Sequence, residues 1–279
     1  MNTQSSGLSR RSFLTAAGGV TLGLGIARVP PAAAAAADPL PPLPWKAYYA
    51  RLDPVTVRQA GYWLYYKEGG CGHGAAQSII DALALEVGYP WGALPRGLYS
   101  YGALGVLGWG TVCGALNGAI GVMDILGVHN SLGNLLIDYF CTAQLPTDAL
   151  VGWVPAPADP KVPAPLPSIA TSVSNSPLCH NSLSIWAATA GVPVADASKK
   201  DRCAKLVGDI VAHAVELMNA FILDAYVPPV WAPPAAYADC YTCHTKVDMV
   251  PSQQGKMSCP DCHSTTAAHG YARKRNGRG

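Results

Sequence analysis

Charged side chains are scarce in this 279-residue sequence, because only 13% of the residues are Asp, Glu, Lys or Arg while half are hydrophobic. Such a composition excludes a disordered chain. The formal net charge of +2 arises in the N-terminal segment, since residues 1–37 hold three arginines and no acid. The remainder carries 16 basic and 17 acidic side chains, and this mildly acidic body argues against a nucleic-acid partner.

The sequence also lacks the alternating pattern of β-strands and a long uninterrupted apolar run, so the predicted fold is all-α. Residues 97–123 contain no charge and are long enough to span a membrane, but eight glycines and Asn117 interrupt them. We therefore expect no stable membrane span and instead a buried helix over residues 108–126. Its glycines share one ridge, where a neighbouring backbone could approach closely: Gly110, Gly114, Gly118 and Gly121.

Capping signals and apolar periodicity predict further helices. Asp53 is a favourable N-cap and Pro54 a favourable first residue, which predicts a helix over residues 54–67 that Gly69 and Gly70 end. The other predicted helices are residues 71–87, 132–143, 178–190 and 199–223. Six prolines in residues 155–167 predict a loop.

The first 37 residues have the pattern of an export signal. Residues 9–14 (SRRSFL) match the twin-arginine motif, and an apolar stretch and an alanine run with an A-x-A cleavage site follow. We expect residues 1–37 to be a twin-arginine signal peptide and the mature protein to be periplasmic.

Two C-x-x-C-H motifs stand near the C-terminus, at residues 240–244 (CYTCH) and 259–263 (CPDCH). Two thiols three positions apart reach the two vinyl groups of one porphyrin, and the adjacent imidazole can bind the iron. The pattern therefore predicts two haems c, attached through Cys240 and Cys243 and through Cys259 and Cys262. A zinc site and plain disulfides are the alternatives, which export and the histidine after each pair argue against.

The motifs also supply the proximal iron ligands, His244 and His263. Five other histidines remain for the opposite face of the irons, and an axial methionine is an alternative, with Met249 and Met257 nearby in the sequence. We favour bis-histidine ligation, with His180 and His269 as the distal ligands.

Five cysteines lie outside the haem motifs: Cys71, Cys113, Cys141, Cys179 and Cys203. Disulfides are the default in an oxidising compartment, although an odd number leaves one cysteine over. The twin-arginine signal favours another use, because this route exports proteins that are already folded. Haem c is attached after export, whereas an iron–sulfur cluster is inserted in the cytoplasm and requires a folded passenger.

The surroundings of these cysteines resemble a known family. Residues 69–71 (GGC), 110–118 (GTVCGALNG), 177–180 (PLCH) and 202–203 (RC) are similar to the C-GCAxxG-C-C family. With the paired haem motifs behind them, residues 48–263 resemble the split-Soret cytochromes c. The proline-rich stretch and Cys141 depart from the familiar pattern.

This resemblance implies a helical body followed by a dihaem segment, in a homodimer that brings four haems together with an axial histidine crossing the interface. It also implies stacked haem planes within each subunit and an iron–sulfur centre in the body. Carried over by position, the candidate ligands of that centre are Cys71, Cys113, Cys179 and Cys203.

The sequence thus predicts a signal peptide (1–37), a helical body (38–226) and a small irregular dihaem segment with a basic tail (227–279). The predicted function is electron transfer with a redox partner protein. The alternative is a haem enzyme, such as a reductase of small nitrogen oxides or a peroxidase. That alternative needs a haem with an open coordination position, and the spare histidines and the lack of an obvious substrate-handling constellation argue against it.

Overall fold

The computed structural model describes residues 38–244 and 256–258, and helices dominate this part of the chain. The α-helices are α1 Pro54–Leu64, α2 Cys71–Glu86, α3 Gly114–Ile125, α4 His129–Thr142, α5 Cys179–Ala190, α6 Ser198–Leu223 and α7 Ala235–His244. Three short 3-10 helices occupy Lys46–Tyr48, Trp91–Ala93 and Ser100–Gly102, and a π-helical turn, Tyr65–Gly69, joins α1 to α2. Within the described residues β pairing is limited to two isolated bridges, which confirms the all-α fold.

The start of α1 follows from its capping residues. The Asp53 carboxylate accepts hydrogen bonds from the N–H groups of Val55 (3.2 Å) and Thr56 (3.0 Å), and Pro54 occupies the first helical position. These bonds satisfy donors that the first turn of a helix otherwise leaves open. The predicted start is confirmed, and the chain turns into the π-helical segment after Leu64.

The core lies where α2, α3 and α6 meet, with α1 and α4 packed around them. Apolar side chains of these helices are fully buried there: Ile79, Leu83, Leu116, Met123, Val207 and Ile210. Helices α2 and α3 approach closely, since a Cβ atom on Gly118 would lie only 2.4 Å from the Gly72 carbonyl oxygen. The predicted glycine ridge is confirmed at Gly114, Gly118 and Gly121, all of which face close neighbours.

Two predicted helix starts differ from the structure, and one segment predicted to be irregular contains a helix. Helix α3 begins at Gly114 and not near residue 108, because the preceding residues form a left-handed turn in which Gly108 and Gly110 have positive φ. Gly110 consequently lies outside the helix and faces His180 instead. Helix α4 begins at His129, earlier than residue 132. The haem segment, predicted to be irregular, contains α7.

Helix α6 is long and apolar enough to cross a membrane by length and composition, and it is the one such helix within the described residues. Most of the candidate window is buried inside the protein, with 61% of it covered. Its composition is therefore explained by its place in the core. The predicted signal peptide lies outside the described residues, and the domain boundary at residue 227 stays a prediction.

Candidate metal centre and haem attachment site

Three body cysteines lie at the starts of helices that converge. Cys71 is the first residue of α2, Cys113 is the N-cap of α3, and Cys179 is the first residue of α5. A Cβ atom on Gly114 would lie 2.4 Å from the Cys71 sulfur, so the starts of α2 and α3 are in contact. N–H groups at a helix start have no partner within the helix and carry a partial positive charge, which favours anionic sulfur there.

A short antiparallel bridge brings Cys113 and Cys179 together. Val112 pairs with Leu178, although the two residues are far apart in sequence. The Cys113 N–H donates to the Pro177 carbonyl at 2.9 Å, and the Cys179 N–H donates to the Thr111 carbonyl at 2.7 Å. The bridge therefore fixes the starts of α3 and α5 side by side.

The fourth cysteine, Cys203, lies in α6 and faces the same place. The side chain of Tyr65, on the π-helical turn, lies beside Cys203. Burial, followed by the nearby thiols of Cys203 and Cys71, raises the pKa of this tyrosine. Because both thiols act on the pKa of Tyr65, Cys203 and Cys71 lie close to one another.

The left-handed turn before α3, residues 104–110, lies against the cysteine site. Leu104, Val106 and Leu107 have φ between 54° and 60°, a conformation that is unfavourable for residues with a branched side chain. The Leu104 N–H acts on the Cys71 thiol and counteracts part of the effect of burial on its pKa. At Gly105 a Cβ atom would lie 2.7 Å from the Cys179 Cβ, so only glycine fits. Backbone strain of this kind is typical of functional sites.

The four cysteines interact electrostatically. Burial, followed by the charge of Cys203, raises the pKa of Cys71. Burial, followed by Cys71 and Cys179, raises the pKa of Cys113 well above its ordinary value. Burial, followed by Cys71 and Cys203, raises the pKa of Cys179 to about 11. Without a cation the thiols of Cys71, Cys113 and Cys179 are therefore neutral at pH 7, and a bound cation would favour their thiolate forms.

The donor set suits a cluster better than a single ion. None of the four cysteines is in a disulfide. Among the described residues no three His, Cys, Asp or Glu side chains are close enough to hold one metal ion. The mutual effects on pKa nevertheless show that the four thiols are neighbours. Four cysteine thiolates are the donor set that iron–sulfur clusters use, so the residue types at this site fit such a centre.

The histidines of the body differ in their partners. His73, His129 and His213 lie within ion-pair distance of a carboxylate, on Glu68, Asp124 and Glu216 respectively. His180 is exposed, and among the described residues no carboxylate lies within that distance of it. The backbone N–H of His180 donates to the Gly110 carbonyl at 3.0 Å, and this bond fixes the residue next to Cys179. The distal-ligand role of His180 stays a prediction.

Helix α7 carries the first haem motif. Cys240 and Cys243 lie three residues apart in this helix, and His244 ends it. Trp231 and Tyr237 pack against the ring of Tyr241. Cys259, Cys262, His263 and His269 lie outside the described residues, so the second motif stays a prediction.

The residues just before the second motif contact the body. Lys256 Nζ donates to Asn134 Oδ1 of α4 at 3.0 Å, and Met257 Sδ accepts a hydrogen bond from Ser176 at 4.0 Å. Tyr237 and Tyr241 of α7 donate to the Lys256 and Met257 carbonyls at 3.5 and 3.4 Å. Residues 256–258 therefore connect α7 to the part of the body that leads into Cys179.

Sequence reasoning named the four cysteines but missed the groups around them. Tyr65, the Leu104 N–H and the buried Arg202 all act on these thiols. Only Arg202 carries a sequence signal, since it directly precedes Cys203. A backbone N–H in a left-handed turn leaves no mark in a sequence beyond the neighbouring glycines.

Comparisons with known proteins agree with this site. Residues 74–217 match the family of redox-active proteins called C_GCAxxG_C_C. The split-Soret cytochrome c of Desulfovibrio desulfuricans is 31% identical over 281 residues, which cover 94% of this chain and 96% of that protein.

A solved structure, described as a novel iron centre in the split-Soret cytochrome c from Desulfovibrio desulfuricans, has the same fold. The two superpose with a TM-score of 0.65 at 28% identity, over 78% of this chain and 90% of that one. With an all-α body, four converging cysteines and a haem-binding motif on α7, this chain belongs to the split-Soret cytochrome c family.

Proposed function

We propose that this chain is a periplasmic electron-transfer protein, exported by the twin-arginine route, which holds two haems c and an iron–sulfur cluster and exchanges electrons with a redox partner protein. The observation that carries the proposal is the contact of residues 256–258 with the body. Met257 lies two residues before Cys259, and its partner Ser176 lies three residues before Cys179. Because two residues of chain span at most about 7 Å, this contact would bring the second haem towards the cysteine site.

The chain's own residues have distinct tasks in this proposal. Cys240 and Cys243 would hold one porphyrin against a face of α7, and His244 would bind its iron. Cys259, Cys262 and His263 would do the same for the second. The four body cysteines would bind the cluster, and the left-handed turn over Cys71 and Cys179 would exclude water. The haems and the cluster supply reversible one-electron chemistry.

The same proposal includes a homodimer. Apolar side chains in the left-handed turn before α3 are exposed: Leu107 is 76% and Trp109 82% accessible to solvent. Residues 97–123 add no charge to this surface. An apolar patch of this kind favours association, and a two-fold dimer is the commonest closed arrangement. His180, exposed beside this turn, would then be available to a haem of either subunit.

The first experiment determines the cofactors of the purified mature protein. We expect its mass to exceed that of the polypeptide by two haems, and its iron to exceed two atoms per chain, with acid-labile sulfide present. Replacing both Cys240 and Cys243 by Ala should remove one haem and keep the sulfide, whereas Cys113→Ser should keep both haems and lose the sulfide. Each variant is thus the control for the other. A polypeptide mass without haem would refute the proposal.

The second experiment separates an electron carrier from a haem enzyme. Bis-histidine ligation leaves no open position on the irons, so the reduced protein should not bind carbon monoxide. His180→Ala should open one position and allow binding. His213→Ala is the matched control, because that ring stacks on Tyr139 at 4.0 Å and pairs with Glu216. Carbon monoxide binding by the unaltered protein would favour the enzyme.

The third experiment tests the dimer and the haem arrangement. Stacked porphyrins have coupled transitions, so the reduced protein should show two Soret maxima and sediment as a dimer. A single symmetric Soret band in a fully loaded dimer would rule out stacked haems and leave an ordinary dihaem cytochrome.

A further inference from the structure

A buried arginine lies beside the cysteine site. Arg202 of α6 is only 3% exposed. Its Nη2 atom donates to the hydroxyl and the carbonyl oxygen of Ser182 in α5, at 2.6 and 3.3 Å. The guanidinium carbon lies 5.9 Å from the centre of the Trp186 ring. The Nε atom is buried and has no hydrogen-bond partner among the residues that the structure describes.

This arginine also lacks a counter-anion. Among the described residues no carboxylate lies within ion-pair distance of Arg202. The adjacent Asp201 serves other groups, since it accepts a hydrogen bond from Tyr62 at 2.7 Å and lies 3.4 Å from Lys205 Nζ. A charge that is buried without a partner is strongly unfavourable, so the site of Arg202 requires an anion.

The groups able to provide that anion are the cysteines. Cys203 is the next residue in the chain. Ser182, to which Arg202 donates, lies three residues after Cys179 in the first turn of α5, so the guanidinium lies beside the start of that helix. In agreement with this position, Arg202 opposes the effect of burial on the pKa of Cys113 and Cys179. As thiols these side chains are neutral and do not compensate the guanidinium, whereas as thiolates bound to iron they would.

We propose that Arg202 is a positioning residue whose fixed positive charge offsets the negative charge of the cysteine-bound iron centre and raises its reduction potential. This inference rests on the iron centre of the proposed function. One electron taken up by the centre makes it one unit more negative, and a cation held in a water-poor site stabilises that reduced form most. The Nε–H of Arg202 would add to this effect as a hydrogen-bond donor, because hydrogen bonds near the sulfurs favour the reduced state.

The test measures the midpoint potential of the iron centre in the purified holoprotein, followed by electron paramagnetic resonance, with haem potentials followed separately in the visible spectrum. For Arg202→Gln we expect the ratio of reduced to oxidised centre at a fixed potential to fall at least tenfold. That change equals a shift of 59 mV for a one-electron couple. The haem potentials should change much less, and Arg202→Lys should restore most of the shift because it keeps the charge.

Arg58→Gln is the matched control. Arg58 is also largely buried with an unpartnered Nε, but Asp209 lies 3.4 Å from that atom and compensates its charge. This variant should leave the potential of the iron centre unchanged. An equal shift in Arg58→Gln and Arg202→Gln, or no shift in Arg202→Gln, would overturn the inference.

Ser182→Ala keeps the test decisive if Arg202→Gln does not fold. It removes the hydrogen bonds of Arg202 to the hydroxyl but retains the buried charge. We expect the ratio of reduced to oxidised centre at the same fixed potential to change less than threefold. A tenfold change would indicate that Arg202 only holds α5 in place. A wild-type protein without non-haem iron and sulfide would overturn the iron centre itself, and this inference with it.

Discussion

The contact between α2 and α3 gives the sharpest test of the fold. A Cβ atom on Gly118 would lie 2.4 Å from the Gly72 carbonyl oxygen and 2.8 Å from the Ala76 nitrogen. Both are backbone atoms, so relief to ordinary contact requires the helices to separate by about 1 Å. Overpacking costs about 3 kcal/mol at the upper end of its usual range, and the higher helix propensity of alanine returns about 1 kcal/mol. Gly118→Ala should therefore lower the free energy of unfolding by about 2 kcal/mol.

Gly133→Ala is the control for helix propensity. Gly133 lies within α4, and the nearest atom to an added Cβ, Ile120 Cγ2, is 3.9 Å away. This variant should be neutral or more stable by up to about 1 kcal/mol. The assay is guanidinium chloride unfolding of the mature holoprotein, followed by far-ultraviolet circular dichroism. A Gly118→Ala protein as stable as Gly133→Ala would refute the close approach of α2 and α3.

Three further predictions concern single side chains. The hydroxyl and N–H of Thr56 lower the pKa of Asp53, so this cap stabilises the protein above the unfolded pKa and its effect fades as the pH falls. Asp53→Ala should cost about 1 kcal/mol at pH 7, and the difference in unfolding free energy from wild type should shrink below about pH 4. Tyr65→Phe removes the hydroxyl that lies beside Cys203 and should lower the potential of the proposed iron centre in a redox titration without altering haem content. Lys205→Met should lower the unfolding free energy by about 3–5 kcal/mol, because buried Asp201 loses its cationic partner, and an unchanged denaturation midpoint would contradict this.

Local signals predicted those helices that local interactions define. The Asp53–Pro54 pair predicted the start of α1, and the repeat of apolar residues predicted α6 to within one residue at its start. The cap of α1 lies within its first turn, and the apolar repeat of α6 is visible in its own sequence although it packs against other helices. Residues of this kind can be recognised without knowledge of the rest of the fold.

The start of α3 could not be predicted in that way. Residues 108–113 are apolar and uncharged, which suits a helix, but the structure uses them in the left-handed turn and in the bridge to Leu178. The Cys113 N–H bonds the Pro177 carbonyl, a partner that is distant in sequence and leaves no local signal. Tertiary contacts therefore set the start of α3, although the sequence of residues 108–113 is compatible with a helix.

The identity of the four cysteines was available from resemblance, but their chemical setting was not. A disulfide requires two β-carbons about 4 Å apart and makes no use of surrounding donors, because its sulfurs are neutral. Here the helix starts at Cys71, Cys113 and Cys179 direct N–H groups towards one place, and the Leu104 N–H joins them at the cost of a left-handed backbone. Donors gathered in this way stabilise sulfur only when it carries negative charge. The fold around these cysteines is thus better suited to metal-bound thiolates than to disulfides.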